Sequence, residues 1–179
     1  MTFKQKSKKI SQKRKGFTLI ELLIVVAIIG ILSSVIIIAL TDSRQRAKTS
    51  KTLASLRDVH TALESYRAQF NGYPVSSGWQ GYCSFWGADL GDNWIPELQS
   101  SNVISTPVLP TDARQPGNGA ACANDQEQII YCSNGADYKL ISVTNSSMAT
   151  VPSNLIDPIR PASAYGFWSS TSGNDPSGC

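Results

Sequence analysis

The chain has 179 residues, with 16 lysines and arginines against 13 aspartates and glutamates, for a net charge of +3. This length provides about one domain once any targeting segment is subtracted. Seven of the basic residues precede Gly16 and every acidic residue follows it, so the remainder has a net charge of −4. That distribution argues against a nucleic-acid-binding surface on the folded part.

The first predicted element is a long apolar helix over residues 17–40. As a helix it would span roughly 36 Å, enough to cross the hydrocarbon core of a membrane. The basic residues before it place the N-terminus in the cytoplasm, although four basic residues that follow the apolar run weaken this signal: Arg44, Arg46, Lys48 and Lys51. Glu21 lies inside the run, where an ionised carboxylate is costly, so it is a functional candidate that needs a partner.

The helix is predicted to continue beyond this apolar run. Residues 41–70 contain no Gly or Pro, and apolar residues spaced by three and four form one stripe: Leu53, Leu56, Val59, Leu63, Tyr66 and Phe70. Asn71 and Gly72 favour a left-handed stop and Pro74 prevents the helix from resuming. We therefore expect the helix to end within a residue or two of Phe70.

From Tyr73 onward the composition favours loops and strands. A short helix is predicted near Pro96, because proline is tolerated in a first turn. Two β-favouring runs flank Asn134 and Gly135, which predicts a hairpin in which these two residues adopt positive φ. A further short strand is predicted over residues 165–168.

All four cysteines follow the apolar run: Cys83, Cys122, Cys132 and Cys179. None forms a C-x-x-C pair, so no zinc site is predicted. An even number in a short exported domain indicates two disulfides with three alternative connectivities, and four free buried thiols are the other interpretation. We favour Cys122–Cys132, across a short loop, and Cys83–Cys179, which would tie down the C-terminal tail.

Signals for catalysis are weak. The single histidine, His60, is interpreted as a packed or solvated residue of the long helix. The sequence has neither a nucleophile elbow nor a phosphate-binding glycine loop, so we do not expect an enzyme. Four tryptophans in the C-terminal part are expected to pack in the core or support long loops: Trp79, Trp86, Trp94 and Trp168.

The stretch KGFTLIELLIVVAIIGIL resembles the N-terminal motif of type IV pilins and of type II secretion pseudopilins. The resemblance implies cleavage after Gly16 by a prepilin peptidase, which also methylates the new amine of Phe17. It further implies that Glu21 accepts this charged amine from a neighbouring subunit in a helical filament. A pair within one subunit is the local alternative, because the two residues are four apart on a helix.

The resemblance implies an α+β pilin fold, in which a long N-terminal helix packs on a small antiparallel sheet. Its parts would be a leader (1–16), a transmembrane and filament-core helix (17–40), an amphipathic continuation (41–72) and a disulfide-bearing head (73–179). The chain would be a structural subunit of a pilus or pseudopilus. It would span the bacterial inner membrane once, with a cytoplasmic N-terminus, before a platform with a cytoplasmic ATPase assembles it outside the cytoplasm.

No cofactor is predicted, although the resemblance leaves Ca²⁺ in the head open. Asp157 and Asp175 lie in turn-rich sequence, but no ligand array like an EF-hand accompanies them, so surface carboxylates are favoured. Two alternative functions remain at this point. One is a single-pass membrane-anchored ligand-binding protein that forms no filament, and the other is a secreted enzyme whose signal merely resembles a prepilin.

Overall fold

A computed structural model describes residues 16–83, 88–89, 91–104, 108–112, 127–145 and 147–179, without the side chains of residues 35–39 and 88–89. The chain divides into two compact units, Met1–Asp42 and Ser43–Cys179.

Helix α1 runs from Leu19 to Phe70. It ends where Asn71 adopts a φ of 56°, and the Asn71 N–H donates to the Arg67 carbonyl at 2.8 Å. The predicted end of the helix is therefore confirmed. Gly72 does not have positive φ; a Cβ there would lie 3.1 Å from the Gly135 carbonyl oxygen, so glycine permits a close approach of two backbones.

The described part of the first unit exposes apolar surface. From Phe17 to Leu32 the large apolar side chains are between 46% and 86% exposed. Among the described residues, no helix combines the length and the hydropathy that a membrane crossing requires. The span over residues 17–40 stays a prediction.

The second unit contains a five-stranded sheet in the order β2-β1-β3-β4-β5. Its strands are β1 (Gln80–Gly81), β2 (Ala88–Asp89), β3 (Gln128–Ser133), β4 (Tyr138–Val143) and β5 (Ala164–Trp168). Pairing is antiparallel except between β1 and β2. A short helix, α2 (Pro96–Ser100), and two 3₁₀ turns, Gly91–Asn93 and Ser153–Leu155, complete the described elements. The predicted α+β pilin architecture, the short helix, the hairpin and the last strand are confirmed.

The main core lies between α1 and one face of the sheet. Four of the six stripe residues are buried, namely Leu53, Leu56, Val59 and Leu63, and they pack with Ile129, Tyr131, Tyr138, Leu140 and Tyr165. Burying each aliphatic side chain contributes about 1.5–3 kcal/mol. The predicted stripe included Phe70, but this residue is 52% exposed beside Tyr66, because the helix ends there. The opposite face buries a smaller cluster around Ile130 and Ile141.

A buried carboxylate also joins the helix to the sheet. Asp112 accepts hydrogen bonds from the Thr52 hydroxyl of α1 at 3.0 Å and from the Ser142 hydroxyl of β4 at 2.5 Å. One buried side chain thus bonds to both elements, so this bridge fixes the helix against the sheet.

The β3–β4 turn differs in one detail from the prediction. Gly135 adopts a φ of 90°, as expected, but Asn134 does not have positive φ. Its side-chain oxygen instead accepts the backbone N–H groups of Ala136 and Asp137 at 3.0 and 2.8 Å. A side-chain acceptor therefore closes this turn where a second left-handed residue was expected.

The disulfide pairing favoured from the sequence is wrong. Cys132 is bonded to Cys179, with the two Cα atoms 6.1 Å apart, so neither Cys122–Cys132 nor Cys83–Cys179 forms. Cys83 is also disulfide-bonded, and no described cysteine is free. Cys122 lies outside the described residues.

The path of the C-terminal tail explains the observed pairing. The tail returns along the β3–β4 hairpin, where the Asn134 side-chain amide donates to the Ser177 hydroxyl at 3.0 Å. This return brings Cys179 to the end of β3. The expectation that a disulfide ties down the tail is confirmed, with Cys132 in place of Cys83 as the partner.

Candidate functional site

The peptide bond between Gly16 and Phe17 lies on the surface. Gly16 is exposed, and a Cβ added there would meet no atom within 4 Å. Phe17 is 78% exposed. Among the described residues, neither packing nor a left-handed backbone requires glycine at position 16.

Glu21 takes part in a capping box at the start of α1. The Glu21 N–H donates to the Thr18 hydroxyl oxygen at 3.3 Å, and Oε2 of Glu21 accepts the Thr18 backbone N–H at 2.9 Å and the Thr18 hydroxyl at 2.6 Å. This reciprocal pairing satisfies donors that a helix N-terminus otherwise leaves open. Thr-x-x-Glu before an apolar run is the sequence signal of this cap, whereas the sequence prediction assigned Glu21 only an ion pair with Phe17.

The two oxygens of this carboxylate differ in their hydrogen bonds to the described residues. Both hydrogen bonds that Thr18 donates go to Oε2, and Oε1 accepts none from the described residues. Phe17 is not a partner in this chain, since its nitrogen is still part of the peptide bond from Gly16. Exposed apolar side chains surround this carboxylate.

Comparison with known proteins is consistent with this geometry. Residues 11–37 match the family described as "Prokaryotic N-terminal methylation motif". The chain is 32% identical over 122 residues to the type IV wide pilus major component PilA4 of Thermus thermophilus, a match that covers 56% of this chain and 93% of that protein. The chain belongs to the type IV pilin and pseudopilin family.

Other relatives of this pilin-family chain include a type II secretion protein and a second type IV pilin. It is 28% identical to the type II secretion system core protein G of Klebsiella michiganensis, over 73% of this chain and 75% of that protein. It is 31% identical to the type IV major pilin protein PilE1 of Neisseria gonorrhoeae, over 54% of this chain and 58% of that protein. No solved structure matched the chain.

The pilin head brings together the two carboxylates considered for Ca²⁺. The ammonium of Lys139 lies 2.7 Å from Oδ1 of Asp157 and 2.8 Å from Oδ1 of Asp175, and it donates to the Gly173 carbonyl at 2.8 Å. The expectation of surface carboxylates is wrong for Asp157, which is fully buried. An internal ammonium therefore occupies the oxygen ligands that a metal ion would need. No metal-binding group of His, Cys, Asp or Glu occurs in the part of the chain that the structure describes.

Arg160 completes this cluster. Its guanidinium donates to Oδ2 of Asp157 at 3.0 Å and to Oδ2 of Asp175 at 2.5 Å, and it lies 5.2 Å from the ring centre of Trp79. Burial raises the pKa of Asp175, but the hydrogen bonds and charges of Arg160 and Lys139 outweigh it and hold that pKa below its usual value. Hydrogen bonding to Asp175 raises the pKa of Arg160. No local pattern in the sequence indicates that Lys139 is buried in β4.

The remaining sequence candidates are structural. The Nδ1 atom of His60 lies 2.5 Å from the Tyr138 hydroxyl, and its ring stacks on Phe167 with centroids 4.6 Å apart. The interpretation of His60 as a packed helix residue is confirmed. Trp94 is fully buried in the core, whereas Trp86 lies outside the described residues.

Proposed function

We propose that this pilin-family chain is a structural filament subunit, processed after Gly16 and polymerised through its N-terminal helix. A prepilin peptidase would cut on the cytoplasmic side and methylate Phe17. The exposed Gly16–Phe17 peptide supports this proposal, because a protease needs accessible backbone. The match of residues 11–37 to the methylation-motif family supports it independently.

The proposed parts are the leader (1–16), the membrane and filament-core segment (17–40), the amphipathic continuation (41–72) and the head (73–179). Before assembly, the subunit would span the inner membrane once with its N-terminus in the cytoplasm. A platform with a cytoplasmic ATPase would then move it into a pilus or pseudopilus. The exposed apolar side chains from Phe17 to Leu32 support this proposal, since they need cover from lipid or from neighbouring helices.

The observation that carries the assembly role is the unshared Oε1 of Glu21. Cleavage after Gly16 creates an amine on Phe17, and N-methylation keeps its positive charge. In a filament of parallel helices this amine would pair with Oε1 of a neighbouring subunit, while Thr18 still holds Oε2. A buried pair of this kind satisfies both charges only at one axial offset, so it would set the register between subunits.

The alternative of a membrane-anchored ligand-binding protein receives no support. Two of the relatives named above are a pilus major component and a major pilin, which favours a filament subunit. A secreted enzyme is disfavoured for the same reason, and we propose no catalytic role for any residue.

The first test is intact mass and N-terminal sequencing of the protein recovered from native membranes and sheared filaments. A chain that begins at N-methylated Phe17 is expected. A chain that still begins at Met1 in cells with an active prepilin peptidase would contradict the proposal. Glu21→Ala should then abolish filaments, whereas Thr18→Ala, which removes the hydroxyl that bonds Glu21 but keeps the Thr18 backbone N–H, should retain most of them.

A further inference from the structure

Basic residues cluster at the start of the second unit. Residues 43–57 contain five basic residues and no acidic one, whereas residues 58–179 contain four basic and eleven acidic residues. Within this segment Arg44, Lys48 and Lys51 are separated by four and three residues, so they lie along one stripe of α1, called here the basic stripe. Neither cleavage after Gly16 nor the proposed pair between Phe17 and Glu21 uses it.

The fold leaves the basic stripe without a counter-charge. All three side chains are exposed, and no hydrogen bond or ion pair joins them to another described residue. The neighbouring positions that pack into the core lie on a different face of the helix: Thr49, Thr52, Leu53 and Leu56. Because like charges at these spacings repel one another and weaken a helix, the stripe brings the folded chain a cost and no internal gain.

The position of the basic stripe in the sequence indicates where the counter-charge lies. Its residues follow Leu40, the last residue of the proposed membrane segment, by four, eight and eleven positions. Basic residues this close to the end of a span interact with the lipid headgroups and influence the orientation of the span. On the outer side they oppose the orientation that the basic leader favours. Anionic headgroups around them offset that cost, because their phosphate groups supply the missing negative charge.

We propose that the basic stripe binds anionic lipid headgroups in the outer leaflet of the inner membrane before the subunit is assembled. The inference rests on the proposed function, because it requires the membrane span over residues 17–40. Each lysine or arginine near an anionic surface strengthens binding, and this attraction falls off within a Debye length of about 8–10 Å. The acidic excess of residues 58–179 is repelled by the same surface, so the attraction is confined to the stripe and its neighbours.

The surface around the basic stripe favours a membrane over another protein as the partner. Between Leu40 and Phe70, a range in which residues 41–69 are all described, no large apolar side chain of the helix is exposed. The core of a protein interface usually contains aromatic or apolar anchors and is depleted in lysine. A headgroup layer requires only charge and flexible side chains that reach it, which the stripe provides.

Amine labelling tests the contact at single residues. The full chain is reconstituted in nanodiscs of phosphatidylcholine or of phosphatidylglycerol and acetylated, and peptide mass spectrometry gives the rate at each lysine. Lys48 and Lys51 should react about threefold more slowly in phosphatidylglycerol, and high salt should restore their rates. The control is Ala68→Lys, an exposed position about 25 Å beyond Lys51 on the same helix, which should react alike in both lipids. Equal rates for Lys48 and Lys51 in the two lipids overturn the inference.

Lipid retention gives an independent readout. Native mass spectrometry of the full chain, released from mixed micelles, counts the phosphatidylglycerol molecules that stay bound. A triple variant with glutamine at positions 44, 48 and 51 should retain about twofold less than the wild type, and the basic leader is the same in both chains. Arg57→Gln is the control, because Arg57 lies about two and a half turns after Lys48, on the other side of the helix, and it should retain as much as the wild type. Equal retention by the triple variant and the wild type contradicts the contact.

N-methylated Phe17 in sheared filaments separates this inference from the proposed function, because its formation does not involve the basic stripe. If wild-type and triple-variant chains both yield it while both lipid experiments fail, only the lipid contact is wrong. If the triple variant loses filaments but retains lipid like the wild type, the stripe binds a neighbouring copy of the chain, and the inference is again overturned. If the wild-type chain is recovered uncleaved and outside the membrane fraction, both proposals fail.

Discussion

The ammonium of Lys139 lies 2.7 Å from Oδ1 of Asp157, and both side chains are fully buried. Charges removed from water in this way are tolerated only when they are paired and hydrogen-bonded. Here Gly173 and Asp175 satisfy the remaining donors of the ammonium. The cluster therefore holds the C-terminal tail against β4.

Replacing this lysine should be strongly destabilising. Lys139→Met leaves Asp157 buried with Arg160 as its remaining cation, and we expect a loss of about 3 kcal/mol in the free energy of unfolding. Urea unfolding of the detergent-solubilised chain, followed by tryptophan fluorescence, measures it. Lys51→Met, an exposed lysine, serves as the matched control and should change stability by less than about 0.5 kcal/mol. Equal effects of the two substitutions would contradict the role of Lys139.

The same cluster should make stability dependent on pH. The pKa of Asp175 is lowered from 3.8 in the folded chain, so between the folded value and 3.8 the unfolded chain binds more protons. The stabilisation by Asp175 is thus complete above its unfolded pKa and is lost as pH falls through the folded value. The difference in melting temperature between wild type and Asp175→Asn should shrink as pH falls below about 4. A difference that is unchanged at pH 3 would argue against this ion cluster.

The disulfide can be checked directly. Non-reducing peptide mapping should recover a cross-linked peptide that contains Cys132 and Cys179. Since the sequence separation is 47, replacing Cys132 and Cys179 together by serine should cost roughly 4 kcal/mol by the chain-entropy estimate. A cross-linked peptide containing Cys122 and Cys132 would show that the pairing described above is incorrect.

Substitution of Thr18 tests whether its side chain caps α1. Thr18→Ala should cost about 1 kcal/mol at the start of α1, because the first turn loses a side-chain acceptor, whereas Thr18→Ser should retain it. Hydrogen exchange of the backbone amides of residues 20–22 reports the change. Equal exchange in the alanine and serine variants would indicate that Thr18 does not cap the helix.

The sequence predicted the elements well, because their signals are local. The uninterrupted run to Phe70 and the turn residues at Asn134 and Gly135 specified the long helix and the hairpin. The disulfide pairing was not predictable, since it depends on how the tail returns along the hairpin. The same holds for Lys139, because its burial depends on carboxylates that reach it from distant parts of the chain.

The Thr18–Glu21 cap has a consequence for maturation. Both of its residues lie after Gly16, so removal of the leader would leave every hydrogen bond of the cap in place. Precursor and mature chain would then share the same first helical turn, already folded before the peptidase acts. Cleavage would place a positively charged amine at the new N-terminus, and the backbone that follows would keep its conformation.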